Sequence, residues 1–252
     1  MNIDLTGKTV LVTGASRGIG KAIAEALAGS GATVAVHYNQ NREAAEVLAD
    51  AIGQDARIFQ ADLASIAACE RLFSEVAEAY GRVDVLVNNA GVAFHMPLDA
   101  STDEWLRGWD LTMAVNLRAV ELLCRLAIIH FKEHGGGRII NISSRAAFRG
   151  DTPDYMAYAA SKGGQVALTR SIARGFGKDN IVAFDLAPGF TRTDMAQEFI
   201  DEYGEDYAIS NLALTRMTEP ADIAPLVVLL ASGLADHATG TSIDINAGSY
   251  VH

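Results

Sequence analysis

Tyr158 and Lys162 are the residues whose types and spacing most directly suggest chemistry. Four apart on a helix, they share one face and reach each other or a common ligand. A phenol titrates near ~10, and a fixed ammonium beside it stabilises the phenolate and lowers that value. Such a pair is a general acid/base usable near neutral pH. In a chain with seven tyrosines the spacing also arises by chance, so the context has to carry the reading. Ser143-Ser144 closes an apolar run shortly before the pair, and strand alternation sends only one of those hydroxyls to a given face. Asn116 lies inside a long helical pattern. An Asn there is either merely tolerated, or redirects the backbone and holds a water.

A second cluster is built for phosphate. Thr13-Gly14-Ala15-Ser16-Arg17-Gly18-Ile19-Gly20 follows an apolar run and opens a helical pattern. Glycines at this spacing let the backbone turn sharply and approach a pyrophosphate, which rests on the helix N-terminus. A P-loop would require Gly at position 15 and Ser or Thr at 22, where this chain has Ala15 and Ala22. Nucleotide hydrolysis is therefore disfavoured. An NAD site usually carries an acid about 20 residues past the glycine turn to grip the ribose 2′-hydroxyl. Tyr38 and Asn39 stand there instead, with no acid between Val36 and Arg42. Arg17, and in second place Arg42, would meet a 2′-phosphate, so NADP(H) is favoured over NAD(H). Asp62-Leu63 and Asn88-Asn89-Ala90-Gly91 follow further apolar runs, at strand ends where ligands bind in open α/β sheets. Asp62 suits the adenine amino group, and also suits capping of the next helix.

The elements that must position these residues alternate almost from end to end. Thr9–Val12, Thr33–Val36, Arg57–Phe59, Val83–Val87, Arg138–Ile142, Ile181–Leu186 and Ser242–Ile245 read as strands. Gly20–Ala28, Arg42–Ile52, Ile66–Tyr80, Leu111–Phe131, Asp154–Phe176 and Pro220–Leu230 read as helices. The alternation predicts right-handed β-α-β crossovers and an α/β fold with a parallel sheet covered on both faces. No linker or composition break divides the chain, which predicts one domain.

Half of the 252 residues are apolar and the net charge is −11, which argues against nucleic acid or an anionic membrane as partner. No basic-then-apolar leader and no apolar run of ~18 residues is present, so secretion and membrane spanning are not expected. Cys69 and Cys124 sit in helical patterns with no C-x-x-C or His companion. Buried free thiols, no metal and a cytoplasmic address follow.

Taken together, Thr13–Gly20, Asp62, Asn88-Asn89-Ala90-Gly91, Asn116, Ser144, Tyr158/Lys162, Pro188-Gly189 with Thr193, and the Thr239-Gly240 turn resemble the short-chain dehydrogenase/reductase family in its branch of roughly 250 residues. The resemblance covers nearly the whole chain. It implies a Rossmann-type, doubly wound, three-layer sheet of seven parallel strands. It also implies a tetrad of Asn116, Ser144, Tyr158 and Lys162. Tyr158 would exchange a proton with the substrate oxygen, and Ser144 would hydrogen-bond that oxygen. Lys162 would grip the nicotinamide ribose and lower the Tyr158 pKa, and Asn116 would keep a relay water. The cofactor would be held by Gly14, Ser16, Arg17, Gly18, Ile19, Gly20, Tyr38, Asn39, Asp62, Leu63, Asn89, Ala90, Gly91, Tyr158, Lys162, Pro188, Gly189, Thr191 and Thr193. Tyr155 is the weaker alternative to Tyr158, because Lys162 stands seven residues on.

Residues 190–215 match the family's substrate lid and mix Met195, Phe199, Ile200 and Leu212 with Asp201-Glu202 and Glu205-Asp206. An amphipathic helix pair explains the same pattern. Phe94, His95, Met96, Arg145, Phe148 and Tyr155 are expected to face the substrate. Gly175 after Arg174, and Asn246-Ala247-Gly248 near the C-terminus, depart from the family pattern, outside the tetrad. The expected activity interconverts a ketone and a secondary alcohol on a small molecule, in a homotetramer. A 3-oxoacyl-thioester reductase and a non-catalytic nucleotide-binding sensor or scaffold are the alternatives. The glycines at 135–137 and the acidic lid give an acidic carrier protein little basic surface to dock on.

Overall fold

Strands of this chain have Val, Ile and Leu in near-continuous runs, the pattern of a sheet buried on both faces. In the computed structural model, which describes residues 3–193, 196, 200 and 209–251, seven of them pair in parallel. They are β1 (Thr9–Val12), β2 (Thr33–Tyr38), β3 (Arg57–Gln60), β4 (Val85–Asn88), β5 (Gly137–Ile142), β6 (Ile181–Pro188) and β7 (Ser242–Ile245). Their order is β3-β2-β1-β4-β5-β6-β7. The chain reverses direction of winding between β1 and β4, and the crevice at the strand C-termini opens there.

Side-chain alternation divides the core in two. Val10, Val12, Val34, Val36 and Phe184 meet helices α1 (Gly18–Gly29), α2 (Arg42–Ile52) and the C-terminal α8 (Pro220–Ser232) on one face. Leu11, Leu86, Ile139 and Ala183 meet α3 (Ile66–Tyr80), α5 (Ala119–Glu133) and α7 (Met156–Phe176) on the other. Burying a Leu or Phe contributes about 1.5–3 kcal/mol, so this two-sided cover fixes the register of every strand. Cys69 and Cys124 are buried and free. Among the described residues no helix is long and apolar enough to cross a membrane.

Several boundaries differ from the sequence expectation. β4 starts at Val85, not Val83. The helix expected over Leu111–Phe131 begins at Thr102, as α4 (Thr102–Met113), and reaches α5 through a π-helical turn, Ala114–Arg118. A Ser101–Glu104 capping box starts α4. The helix expected from Asp154 starts at Met156, after a 3-10 turn at Pro153–Tyr155. A four-residue helix, α6 (Ala146–Arg149), follows β5. Ala247, where the family pattern has Gly, adopts φ of 53°, a left-handed conformation that costs a non-glycine residue about 1 kcal/mol. Of the expected lid, Met195, Phe199, Asp201, Glu202, Glu205 and Asp206 lie outside the described residues.

Candidate active site

The glycine turn between β1 and α1 is shaped by its backbone and held by its neighbours. Gly14 and Gly18 adopt φ of 63° and 55°, which glycine enters without penalty. At Gly20 a Cβ would lie 2.3 Å from the Gly14 carbonyl oxygen and 2.5 Å from Asn89 Nδ2, so only glycine lets the helix pack this closely. Asn89 Nδ2 donates to the carbonyls of Thr13 at 2.9 Å and Gly14 at 3.1 Å. The Asn89 and Ala90 amides donate to Thr13 Oγ1. α1 has no side-chain cap and no acid in its first turn. Its opening amides and dipole therefore fit a pyrophosphate.

His37 on β2 ties this turn to the sheet. The Gly14 N–H donates to His37 Nδ1 at 2.9 Å, so Nε2 carries the proton and donates to the Ala61 carbonyl at 3.1 Å. Burial pushes the imidazole down to about 4, and it is neutral at pH 7.

Beside the turn, Ser16, Lys21, Asn41, Glu43 and Ala44 line an open cleft of about 310 Å³. At the end of β2, Tyr38 is buried and Asn39 exposed. Arg42 is paired with Glu46 at 2.7 Å, and Lys21, which lines the cleft and was not singled out from sequence, stands 3.8 Å from Glu25 in a looser pair. Asp62 is exposed, with Oδ1 accepting from the Ala64 amide at 3.0 Å. Ser65 caps α3 instead, so the capping alternative for Asp62 falls away. Leu63 is buried in the core beneath.

β6 exits over the same turn. The Gly189 amide donates to the Ile245 carbonyl at 2.9 Å, and a Cβ on Gly189 would lie 2.6 Å from that of Asn246. After Pro188 the chain doubles back. Thr191 Oγ1 donates to the Gly189 carbonyl at 3.1 Å, and Thr193 Cγ2 lies 3.3 Å from the place of a Gly18 Cβ. Ile19, on the opening turn of α1, packs against the first core.

Across the crevice the tetrad residues converge. Tyr158, Ser161, Lys162, Gln165 and Thr169 form one polar stripe along α7. The Ser144 hydroxyl accepts from the Ala146 amide at 3.1 Å and stands close enough to the Tyr158 phenol to favour its ionised form. Lys162 Nζ is buried, donates to the Ile142 carbonyl at 2.8 Å and lies 5.8 Å from the Tyr158 ring centre. Ser143 turns the other way, to Asp185 Oδ2 at 2.9 Å, as alternation requires. Tyr155 packs edge-on against His95 and is not on the Lys162 stripe.

Asn116 sits at the centre of the π-helical turn and is fully buried. Its Oδ1 accepts from the Val92 amide, and its Nδ2 donates to the Val92 carbonyl, both at 2.8 Å. It thereby fixes the loop that carries Gly91, whose Cβ position lies 3.4 Å from Lys162 Nζ. The Asn116 carbonyl accepts from Gln165 Nε2, and Asn116 Nδ2 also donates to Ser161 Oγ.

The electrostatics are set by burial. Burial raises the Tyr158 phenol above its ordinary value, and Ser144 only partly opposes this. The lowering expected from Lys162 does not prevail, because the ammonium faces the Ile142 carbonyl. Burial likewise pushes Lys162 down to about 8, with Asp185 acting in the opposite direction. Ser161, Gln165, His37 and Asp185 were missed from sequence. The polar stripe on α7 was a readable signal, as were a His and an Asp inside otherwise apolar strands.

Comparisons with known proteins agree with this geometry. Residues 14–250 match the family model described as Enoyl-(Acyl carrier protein) reductase. The chain is 36% identical over 247 residues to the 3-oxoacyl-[acyl-carrier-protein] reductase FabG of Staphylococcus aureus, covering 97% of this chain and 98% of that one. It is 37% identical over 264 residues to versicolorin reductase stcU of Emericella nidulans, covering 99% and 98%. A short-chain dehydrogenase of Burkholderia cenocepacia, solved in complex with NADP, superposes with a TM-score of 0.89 at 36% identity, over 97% of this chain and 98% of that one.

Proposed function

The chain belongs to the short-chain dehydrogenase/reductase family, and we propose that within it this protein is an NADP(H)-dependent oxidoreductase interconverting a ketone and a secondary alcohol, with Tyr158 as general acid/base. The observation that carries the reading is the Tyr158 phenol beside Ser144, with the buried Lys162 ammonium 5.8 Å from its ring centre on the same helix face. When bound, the nicotinamide supplies or accepts the hydride. The α1 amides, Arg17 and Thr193 would hold the phosphates, and Lys162 the ribose. Tyr158 would give its proton to the carbonyl oxygen or take one from the alcohol, and Ser144 would hydrogen-bond that oxygen. Asn116 would act by fixing the Gly91-Val92 loop.

NADP(H) is preferred on two grounds. No acid stands at the end of β2, and Lys21 and Ser16 line the cleft beside it, suited to a 2′-phosphate. That the Burkholderia neighbour was solved with NADP supports the same reading. The substrate reading is a free small molecule. The relatives include both a carrier-protein reductase and a versicolorin reductase, so they leave the class open. The two cations flanking the turn before β5 are each engaged, Lys132 with Asp179 at 3.0 Å and Arg138 with Asp236 at 2.6 Å. Paired charges leave little field to steer an acidic carrier. A lid over residues 190–215, a single domain and a homotetramer belong to the proposal. Exposed Leu106, Leu111, Ile129 and Met156 on α4, α5 and α7 are compatible with assembly.

The test is a ketone and alcohol screen with NADPH and NADH, including one 3-oxoacyl group presented on a carrier protein and on a short soluble thiol. Turnover of free ketones with lower KM for NADPH is expected. No turnover of any carbonyl would favour a non-catalytic role, and a tenfold carrier preference that weakens with salt would favour the carrier reductase.

A further inference from the structure

Beside β5, whose end leads into Ser143-Ser144, the neighbouring β6 carries a carboxyl that the proposed chemistry does not use. Asp185 is fully buried on β6, in a run where every residue from Ile181 to Pro188 is buried. A carboxylate in such surroundings is retained only when something nearby compensates its charge. Its Oδ2 accepts from Ser143 Oγ at 2.9 Å, and its Oδ1 is buried with no hydrogen-bond partner. Among the described residues it has no ion pair at contact distance.

The groups around it come from three elements. From β5 comes Ser143, and from β7 Ser242, which stands opposite Asp185 in the ladder, with Asp244 two residues along the same face. From α7 come Lys162 and Arg170, whose charges both favour the ionised carboxylate. Lys162 is placed with particular care. Its ammonium donates to the carbonyl of Ile142, the residue joined to Ser143, whose hydroxyl in turn donates to Asp185. One peptide unit therefore carries the ammonium on one side and the carboxylate's partner on the other. Both groups sit in a low dielectric, where opposite charges near each other act strongly.

We propose that Asp185 is a positioning residue for the Tyr158–Lys162 pair, a buried counter-charge that keeps Lys162 protonated in its desolvated pocket. The inference rests on the reading of Lys162 as the ribose-binding cation. Burial raises Asp185 to about 6 and lowers Lys162 to about 8, so both are charged between those values. Without the carboxylate no opposite charge among the described residues opposes the desolvation of Lys162, only its bond to the Ile142 carbonyl, and its proton is lost at lower pH. A carboxylate serving only as packing would be replaced by Asn with no such change.

The experiment measures NADPH affinity by fluorescence from pH 5.5 to 9.5, with no substrate present, for the wild type, Asp185→Asn and Asp185→Ser. Asn preserves the acceptor for Ser143, and Ser guards against a failure of the first variant to fold. The alkaline limb of binding is expected to move down by at least ~0.5 pH unit in both variants, about threefold weaker binding at pH 9.5 relative to any change at pH 6. Coincidence of the alkaline limb with the wild type, in whichever variant folds, would overturn the proposal. Because binding is read without turnover, the result stands apart from the general-acid role of Tyr158. Tyr158→Phe with near-full turnover would remove that role while leaving a shifted Asp185→Asn binding limb intact.

Discussion

The glycine turn after β1 and the polar stripe on α7 face each other across one crevice, yet they are made of opposite materials. The turn offers backbone. Its ligand groups are amides, its shape comes from missing side chains, and Asn89 and Thr13 hold it through carbonyls and amides. The stripe offers side chains, buried, hydrogen-bonded and shifted in pKa by desolvation. The first region should fail when an atom is added, and the second when a charge or proton is removed.

The largest expected effect is on the side-chain half. Tyr158→Phe keeps the ring and deletes the proton, so kcat should fall at least ~10²-fold with NADPH binding preserved. Lys162→Ala should lower both, since the ammonium is also proposed to hold the ribose. Unchanged kcat in Tyr158→Phe would move the acid role to another donor and blur the contrast.

His37 is the exception that sharpens it, a titrating side chain inside the backbone half. Its folded pKa of about 4 lies below the ordinary 6.5, so the unfolded chain binds the extra proton between those values. Its contribution to stability is complete above pH 6.5 and is lost as pH falls toward 4, by about 3 kcal/mol. Denaturant titrations at several pH values should show that slope, and His37→Asn should flatten it. Equal slopes in both proteins would mean that the Gly14 amide does not depend on the neutral ring.

The smallest effect expected belongs to Gly20→Ala. The new methyl meets the Gly14 carbonyl and Asn89, and relief by backbone shifts costs about 1–3 kcal/mol. Since the shift falls on the phosphate turn, KM for NADPH should rise several-fold while kcat at saturation stays within about twofold. A drop in kcat with KM unchanged would show that the two halves are not separable.

Local patterns were legible because their physics is local. The glycine spacing, the Tyr158–Lys162 pair and the alternation of strands with helices all follow from turn geometry and helix periodicity. The choice between Ser143 and Ser144 needed only strand alternation and the family pattern. The break at Asn116 was harder. A helical hydropathy pattern continues through it, and the extra residue in the turn is visible only once Val92 and Gln165 are in place.

What the sequence by itself determined is therefore the order of elements, the glycine turn and the face of α7 on which Tyr158 and Lys162 stand, since each depends on neighbours a few residues apart. The tertiary structure alone decided that His37 accepts from the glycine turn, that Lys162 is held by Ile142, and that Asp185 accepts from Ser143. Those pairings join residues far apart in the chain, and they exist only once strand order and register have set which side chains share a face of the sheet.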